Sequence, residues 1–501
     1  MQTGGKHIIL SMTADLSQHL YSASQIRMIE QHAIDRLEIP GYELMTRAGN
    51  AVFKFLLGAL DSDSSLLVLC GPGNNAGDGY VVAALLLEAG YSVSLISLTD
   101  QQLLKGDAAQ ARDDWIKAGG KTDNYSGQLP ATDLVIDALF GTGLSRPLEG
   151  NFQQLVEQVN ESGKPVLSID IPSGLCSESG RVLGTSIRAD TTVTFIGLKA
   201  GQFLLDGPDH CGELLLDDLD VPSAAYADQQ PVANLIDESA LSRHLSPRAR
   251  NSHKGDFGHV LVIGGGVGMS GAVRMAAEAA ARCGAGLVTV ATHPQHAENI
   301  AASCPVLMSH GISETSQLRA LLKKATTLAF GPGLGQDEWA RALFSQVMES
   351  KQLRVIDADG LNLLADNPQK CEQQLMTPHP GEAGRLLGVS TAEIQNDRIL
   401  AVQKLQQKYG GVVVLKGQGS LVSDGETIWL CPYGNPGMAS GGMGDVLTGI
   451  IAGLLAQGLP LLAAAKAGVL IHAMAADKAA GTQPRGLLAT DLLPLLREFA
   501  N

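Results

Sequence analysis

The sequence predicts two α/β domains in tandem, each built on a mostly parallel sheet with helices on both faces. Short apolar runs of strand length recur along the chain, each closed by a glycine or polar turn and followed by a segment of helical period. Runs this apolar suit strands covered on both faces, and strand–helix alternation suits a parallel, doubly wound sheet. The runs fall into two series separated by PSAAYADQQPV (222–232), which holds two prolines and no periodicity. The chain of 501 residues is also too long for one comfortable core, and its 45% hydrophobic and 17% charged content is that of well-buried globular domains.

In chain order, SASQIRMIEQHAIDRL and YELMTRAGNAVFKFLLGAL read as two leading amphipathic helices, the first capped by Ser22 or Ser24. The ten or so residues before Ser22 fit no element and are expected to form a disordered tail. Strands follow at 64–70, 91–98, 132–140, 164–171 and 191–198, and 212–221 closes the series. The second series reads 259–266, 286–292, 326–333, 353–360, 374–382 and 410–420, ending in the glycine-dense NPGMASGGMGD (435–445) before a long helix. The halves share an architecture and no sequence repeat, which indicates fusion, with domains expected at 1–227 and 228–501. The 222–232 linker is expected to bury little, so each half should fold alone. Leu447–Ala465 is nearly uncharged, but Gly458 and Pro460 break it, so it reads as a buried helix pair and not as a membrane span.

The net charge of −15 argues against broad contact with nucleic acid or an anionic membrane. Seven cysteines lie singly, without a CxxC pair, which fits a reducing, cytoplasmic setting and offers no zinc signature. The HIIL run near the N-terminus falls far short of a signal-peptide core.

The first candidate site begins at VLCGPGNNAGDGY (68–80), where a strand enters a glycine turn. Glycines 71, 73 and 77 give GxGxxxG, which departs from the dinucleotide fingerprint, and the turn carries Asp78, which would repel a phosphate. A tight strand–helix turn would explain the loop by itself. The other strand ends add polar groups at the same sheet edge, where open parallel sheets bind ligands: Asp137, then GTGLSRP (141–147), Asp170 and Ser173 in DIPSG, and Lys199. Asn, Asp and Ser are hard oxygen donors suited to an alkali or alkaline-earth ion. Glycine amides of 71–77 and 141–143 can face phosphate while Asn75 and Asp137 hold a cation that offsets the charge conflict.

NNAGDG with IDALFGTG and SIDIPSG, in this order, resembles the N-terminal half of the bifunctional NAD(P)H-hydrate repair enzymes, over about residues 20 to 220. The resemblance implies a Rossmann-like epimerase interconverting the R and S forms of NADHX and NADPHX, cofactors hydrated at nicotinamide C6. It implies potassium at Asn75, Asp137 and Ser173, and substrate contacts at Asn74, Asn75, Ala76, Gly77, Asp78, Gly141, Thr142, Gly143, Leu144, Ser145, Arg146, Pro147 and Asp170. The hydrated carbon is a hemiaminal whose inversion needs a proton moved on and off a hydroxyl, so Asp170 is the expected catalytic group, with Lys199 second and helix capping as the structural alternative.

The second candidate site is SGGMGD (440–445), where glycines let several backbone N–H groups face one point at a helix start. Asp445 is electrostatically comfortable there, and it is also placed to take a proton from a hydroxyl being phosphorylated. The segment resembles the GxGD signature of the ribokinase-like fold, and KGQGS (416–420) its nucleotide segment. With SHKGDFGHVLVIGGG, MSGAVRMAAEAAARCGAGLV, GPGLG and TPHPGEAGRLLG, residues from about 240 to 500 resemble the ADP- or ATP-dependent NAD(P)H-hydrate dehydratases. That resemblance implies phosphorylation of the C6 hydroxyl and elimination of phosphate, with Ala272, Gly335 and His379 at the substrate, Lys416, Gly417, Gln418, Gly419, Ser420 and Gly444 at the nucleotide, and Asp445 catalytic. Packing between two prolines would also account for His379. The fused form implies ADP with Mg2+, released as AMP and phosphate, and a homo-oligomer is expected.

The competing readings are a sugar or vitamin kinase with a regulatory Rossmann-like domain, and a non-enzymatic scaffold or RNA-binding module. Acidity argues against RNA, and intact Asp137 and Asp170 argue against an inert scaffold.

Overall fold

A computed structural model describes residues 16–501, which divide into two compact units, 16–233 and 234–501. In the first unit, parallel strands lie side by side in the order Thr122–Asn124, Ser92–Ser97, Ser65–Cys70, Leu134–Ala138, Val166–Ile169, Thr191–Phe195 and Glu213–Asp217. Counted along the chain this is 3-2-1-4-5-6-7, so the direction of winding reverses between Ser65–Cys70 and Leu134–Ala138. Successive side chains of a strand face opposite sides. Leu66 and Val68 accordingly join the apolar cluster on one face with Val82 and Leu86, while Leu67 and Leu69 join Leu155 and Val156 on the other. That two-sided burial is why these strands read as unbroken apolar runs.

Both leading helices form, as Ala23–Leu37 and Gly41–Leu57. Ser22 is the cap: its hydroxyl accepts from the Gln25 amide at 3.2 Å, and the Gln25 side chain accepts from the Ser22 amide at 3.0 Å. A reciprocal cap of this kind contributes about 1 kcal/mol. The disordered tail expected before Ser22 is contradicted for the described part. His19–Tyr21 is a strand parallel to Leu198–Lys199, and Leu20 and Tyr21 are buried; residues 1–15 lie outside the described residues. The expectation of a bare linker also fails. Ala225 and Tyr226 are buried, and the Tyr226 hydroxyl donates to the Ile196 carbonyl at 2.8 Å, so residues 222–232 pack on the first unit.

In the second unit, Met308–Gly311, Leu287–Thr292, His259–Ile263, Thr327–Phe330, Leu353–Ile356, Gln374–Met376 and Val412–Leu415 form a parallel sheet in that order. Ser420–Ser423 and Ile428–Cys431 extend it antiparallel, and Ala233–Leu235 then pairs parallel with Ile428–Cys431. The apolar stretch near the C-terminus is indeed two buried helices, Met443–Ala456 and Leu461–Ala480. No helix among the described residues is long and apolar enough to cross a membrane. The first of the pair packs on Ser270–Arg282 so closely that a Cβ on Gly449 would lie 2.0 Å from the Ala276 carbonyl oxygen. This contact fixes the helix that begins at the second candidate site.

Each unit holds its own apolar clusters, so fragments cut between residues 233 and 234 should each express soluble and melt cooperatively. Circular dichroism of the two fragments checks this, and an unstructured fragment would contradict it.

Candidate active sites

In the first unit, Ser65–Cys70 runs through Gly71-Pro72-Gly73 into the helix Asn74–Glu88. Gly71 is obligatory, because a Cβ there would lie 1.8 Å from the Leu139 carbonyl oxygen. No side chain among the described residues caps the helix, and while the Ala76 amide donates to the Gly73 carbonyl at 3.1 Å, the amides of Asn74 and Asn75 remain available to an anion. Asn75, Ala76 and Gly77 are buried at this turn, Asn74 is exposed, and Asp78 is half-buried. Burial, then the neighbouring Asp170 and Glu30 carboxylates, push Asp78 well above the usual carboxylate range. Asp78 is thereby held toward its neutral form, which relieves much of the repulsion that the sequence suggested.

Asp137, the penultimate residue of its strand, is fully buried, and its carboxylate accepts from Ser168 Oγ (2.9 Å), the Ser173 amide (2.8 Å), Ser173 Oγ (2.6 Å) and the Leu139 amide (3.2 Å). Burial raises its pKa against those bonds, and no basic side chain among the described residues is bonded to it. Asp137 and Ser173 therefore touch directly. Asn75 approaches from the cradle: a Cβ on Gly141 would lie 3.5 Å from Asn75 Cβ and 3.3 Å from Asp170 Oδ2. Asn75 Nδ2 is buried with no hydrogen-bond partner among the described residues.

Asp170 caps no helix. It sits at φ 67°, a left-handed conformation that costs a non-glycine residue about 1 kcal/mol or more and that concentrates at functional sites. Its Oδ1 accepts from Lys199 Nζ at 2.5 Å and from Thr194 Oγ1 at 3.4 Å, while Gln202 Nε2 donates to its carbonyl at 3.1 Å. Lys199 is fully buried, and Nζ also donates to Thr194 Oγ1 (2.7 Å) and the Phe195 carbonyl (3.0 Å), so all three ammonium donors are used. Asp170 Oδ2 receives no hydrogen bond from the described residues and faces the 141–147 loop, where Ser145, Arg146 and Pro147 are exposed and Gly143 is open. The pair therefore divides into a positioning lysine and a carboxylate with one oxygen free to accept a proton. Glu30, from the first helix, went unnoticed in the sequence; burial and Asp170 push it up to about 7.

In the second unit, the glycine segment opens the helix Met443–Ala456 with Gly442 at φ 92°, and Asp445 lies in the first turn. Burial, followed by the charges of Asp357, Asp359 and Glu382, pushes Asp445 up to about 7 against the pull of Lys416. Lys416 Nζ donates to Asp357 Oδ1 at 2.8 Å, and Thr448 Oγ1 donates to Asp357 Oδ2 at 2.8 Å. Burial opposes both charges, but their mutual attraction prevails: Asp357 is held below the usual range and Lys416 above its own. A Cβ on Gly444 would lie 3.0 Å from Lys416 Nζ, which brings the two predicted nucleotide segments together.

A cavity of about 470 Å³ is lined by His379, Lys416, Gly417, Gln418, Ser420 and Gly444, with His472 on a neighbouring helix. His379 caps Pro380–Leu387, its Nδ1 accepting from the Gly381 amide at 3.0 Å, so it is both a cap and a wall of the cavity. Arg398, buried, donates to the carbonyls of Leu415 (3.3 Å), Lys416 (3.4 Å) and Gly419 (3.2 Å), pinning the 416–420 loop from behind. Ala272 and Gly335 do not line this cavity. Ala272 lies against Gly333, and the Gly335 amide donates to Asp359 Oδ2 at 2.8 Å. Gly419 and Asp445 are likewise not among its lining residues, Asp445 lying within electrostatic reach of Lys416. Asp357, Glu382, Thr448 and Arg398 were not singled out in the sequence. Asp357 could have been, since it follows a strand at its carboxyl end as Asp170 does; Arg398 could not, because apart from Gln395 Oε1 (3.0 Å) its partners are backbone carbonyls.

The folds and sites define a two-site α/β enzyme: a Rossmann-like unit with a glycine cradle and an Asp–Lys pair, followed by a ribokinase-like unit with a cavity walled by the 416–420 loop and a helix-start carboxylate. Residues 41–201 match the family described as YjeF-related protein N-terminus, and residues 260–497 match NAD(P)H-hydrate dehydratase. The chain is 47% identical to the bifunctional NAD(P)H-hydrate repair enzyme Nnr of Coxiella burnetii, over 96% of this chain and 99% of that one. It is 43% identical to the Escherichia coli protein of the same name, over 99% of this chain and 96% of that one. A ribokinase-like superfamily protein from Enterococcus faecalis superposes with a TM-score of 0.50 at 31% identity, covering 53% of this chain and 94% of that one. The chain belongs to the family of bifunctional NAD(P)H-hydrate repair enzymes.

Proposed function

We propose that the chain restores hydrated nicotinamide cofactors in two steps, epimerising R- and S-NADHX and NADPHX in the first unit and dehydrating the S form in the second, at the expense of ADP. The observation that carries this reading is the free Oδ2 of Asp170 beside a lysine with no donor left to give. Inversion at C6 requires a bond to that carbon to open and reclose from the opposite face, with the hydroxyl proton moved off and on. Asp170 Oδ2 accepts that proton, and Lys199 holds the carboxylate in place.

In the second unit, Asp445 takes the proton of the C6 hydroxyl as the oxygen attacks the terminal phosphoryl group, while Lys416 and the amides at the helix start face the phosphoryl charge. With ADP, the C6–O–P linkage forms as the bond to the AMP leaving group breaks. Phosphate then leaves, driven by the ring-nitrogen lone pair, and loss of a C5 proton completes the ring double bond. Phosphate departs far more readily than hydroxide.

The donor set at the first site fits a potassium ion: the Asp137, Ser173 and Asn75 side chains supply oxygens, and no basic side chain among the described residues is bonded to the Asp137 carboxylate. Asn75, Asp137 and Ser173 would hold the ion, whose charge offsets Asp137 beside the phosphate-facing amides. Mg2+ fits the second site as an ion carried by the nucleotide. Among the described residues no group of three or more His, Cys, Asp or Glu could hold a metal, and Mg2+ is bound chiefly through phosphates and water.

The experiment is incubation of the chain with an R/S-NADHX mixture and ADP, following the absorbance of the reduced nicotinamide. Full recovery requires both units. Recovery of the S fraction alone, or consumption of nucleotide with the hydrate untouched, contradicts the reading. Epimerisation should also slow at least several-fold when potassium is replaced by a bulky organic cation, with S-NADHX dehydration less affected. Unchanged epimerisation without potassium would count against the ion site.

A further inference from the structure

A second cavity, of about 550 Å³, opens in the first unit away from Asp170. Ser97 and Asn124, the last residues of their strands, line it together with Thr99, Asp100, Tyr125 and Asn151. It therefore lies beyond the carboxyl ends of strands two and three of the 3-2-1-4-5-6-7 order. Asp170 follows strand five, on the opposite side of the point where the winding reverses. From strand five to strands two and three is three to four strand spacings, about 14–19 Å, the scale of an extended dinucleotide.

Two glycine-containing segments lie between the two places in the strand order. The glycine cradle follows strand one, and the loop after strand four passes Gly141, where a Cβ would lie 3.3 Å from Asp170 Oδ2, and leads to the helix that starts at Asn151 in the cavity wall. The wall itself lacks partners: Thr99 Oγ1, Tyr125 OH and Oε1 of the neighbouring Gln101 are buried and hydrogen-bonded to nothing among the described residues. It presents amides, hydroxyls and one aromatic ring, the groups that bind a neutral base and its ribose. Asp100 is its one carboxylate. One oxygen of Asp100 caps the Gln102 amide at 2.9 Å, and no bond to the other is found among the described residues. Asp100 follows strand two, the place from which an acid reads an adenosine ribose 2′-hydroxyl in doubly wound dinucleotide sites.

From this juxtaposition we infer that the cavity at 97–102, 124–125 and 151 binds the adenosine half of the hydrated dinucleotide, and that Asp100 favours the substrate with a free 2′-hydroxyl over its 2′-phosphorylated counterpart. The inference deepens the epimerase reading and rests on it. The pyrophosphate crosses the cradle amides, the hydrated ring reaches Asp170, and the 2′-phosphate of NADPHX would meet the Asp100 carboxylate.

The test uses the full chain without added nucleotide, so that dehydration is silent, and follows R-to-S conversion by chromatography. The substrates are NADHX, NADPHX and the hydrate of reduced nicotinamide mononucleotide, which lacks the adenosine half. Asp100→Asn keeps an acceptor for the Gln102 amide, and the ratio of kcat/KM for NADHX over NADPHX should fall about tenfold. Tyr125→Ala should lower kcat/KM for NADHX by about tenfold or more and leave the mononucleotide hydrate unchanged. An unchanged ratio in Asp100→Asn, or equal losses on dinucleotide and mononucleotide hydrates in Tyr125→Ala, would overturn the inference. A parent chain that converts none of the three hydrates would instead overturn the epimerase reading beneath it.

Discussion

Asp170→Asn abolishes epimerisation, lowering the rate of R-to-S conversion by about 10²–10⁴, while S-NADHX dehydration stays within about twofold of the parent. The amide matches the carboxylate in size, and Asn tolerates the left-handed backbone at this position. What it loses is a basic oxygen at Oδ2. The buried Lys199 ammonium then loses the one carboxylate bonded to it among the described residues, and breaking a buried pair from one side costs about 3–5 kcal/mol, here at the low end because Asp170 is partly exposed and Glu30 lies within electrostatic reach of Lys199. The first unit should therefore melt several degrees lower, and lost activity alone would be ambiguous. The double variant Asp170→Asn/Lys199→Met separates the two effects: removing both charges should restore the melting temperature without restoring epimerisation. If the double variant regains the parental rate, or the single variant never loses it, proton transfer does not pass through Asp170.

The strand series was legible because burial on both faces leaves a compositional trace, as Leu66 to Leu69 illustrate by feeding two clusters in alternation. Some of the missed strands lack that trace, although Ser420–Ser423 and Ile428–Cys431 were missed while largely buried. Thr122–Asn124 and Met308–Gly311 are edge strands with exposed positions, and His19–Tyr21 and Leu198–Lys199 are too short to show a period. The site residues divide by the same logic. Asp170, Asp137 and Asp445 lie at strand ends or a helix start, where topology converts position into function. Glu30 lies on an ordinary helix face and reaches the first site only through tertiary packing. Arg398 works chiefly through backbone carbonyls, which have no signature in a sequence. The 222–232 segment misled because prolines and polar residues mark a boundary while Tyr226, a single side chain, anchors it.

Asp445→Asn removes dehydratase activity by about 10²–10⁴ and leaves nucleotide affinity within about threefold and the epimerase untouched. The glycines at 441, 442 and 444 and the amides of the helix start remain in place, so the phosphoryl group still meets its donors. Only the base for the C6 hydroxyl is lost. With its pKa pushed up to about 7 by burial and by Asp357, Asp445 must lose a proton to act, so the parent rate should rise with pH through about 7 and the residual rate of the variant should lack that limb. The same shift has a consequence for stability. The folded state holds the Asp445 proton to a higher pH than the unfolded chain does, so between the ordinary carboxylate range and about 7 the folded form binds more protons and its stability falls as pH rises. A charged Asp445 thus weighs against the fold above that window, and asparagine, which is favourable near a helix start, removes the cost. The second unit of the variant should melt above the parent at alkaline pH and match it in acid. Single-turnover dehydration of S-NADHX with ADP, calorimetric titration of the nucleotide and melting across pH measure the three effects. A large loss of nucleotide affinity with a modest loss of rate would move Asp445 from proton transfer to ligand binding, and a flat pH–rate profile in the parent would exclude it as the titrating base.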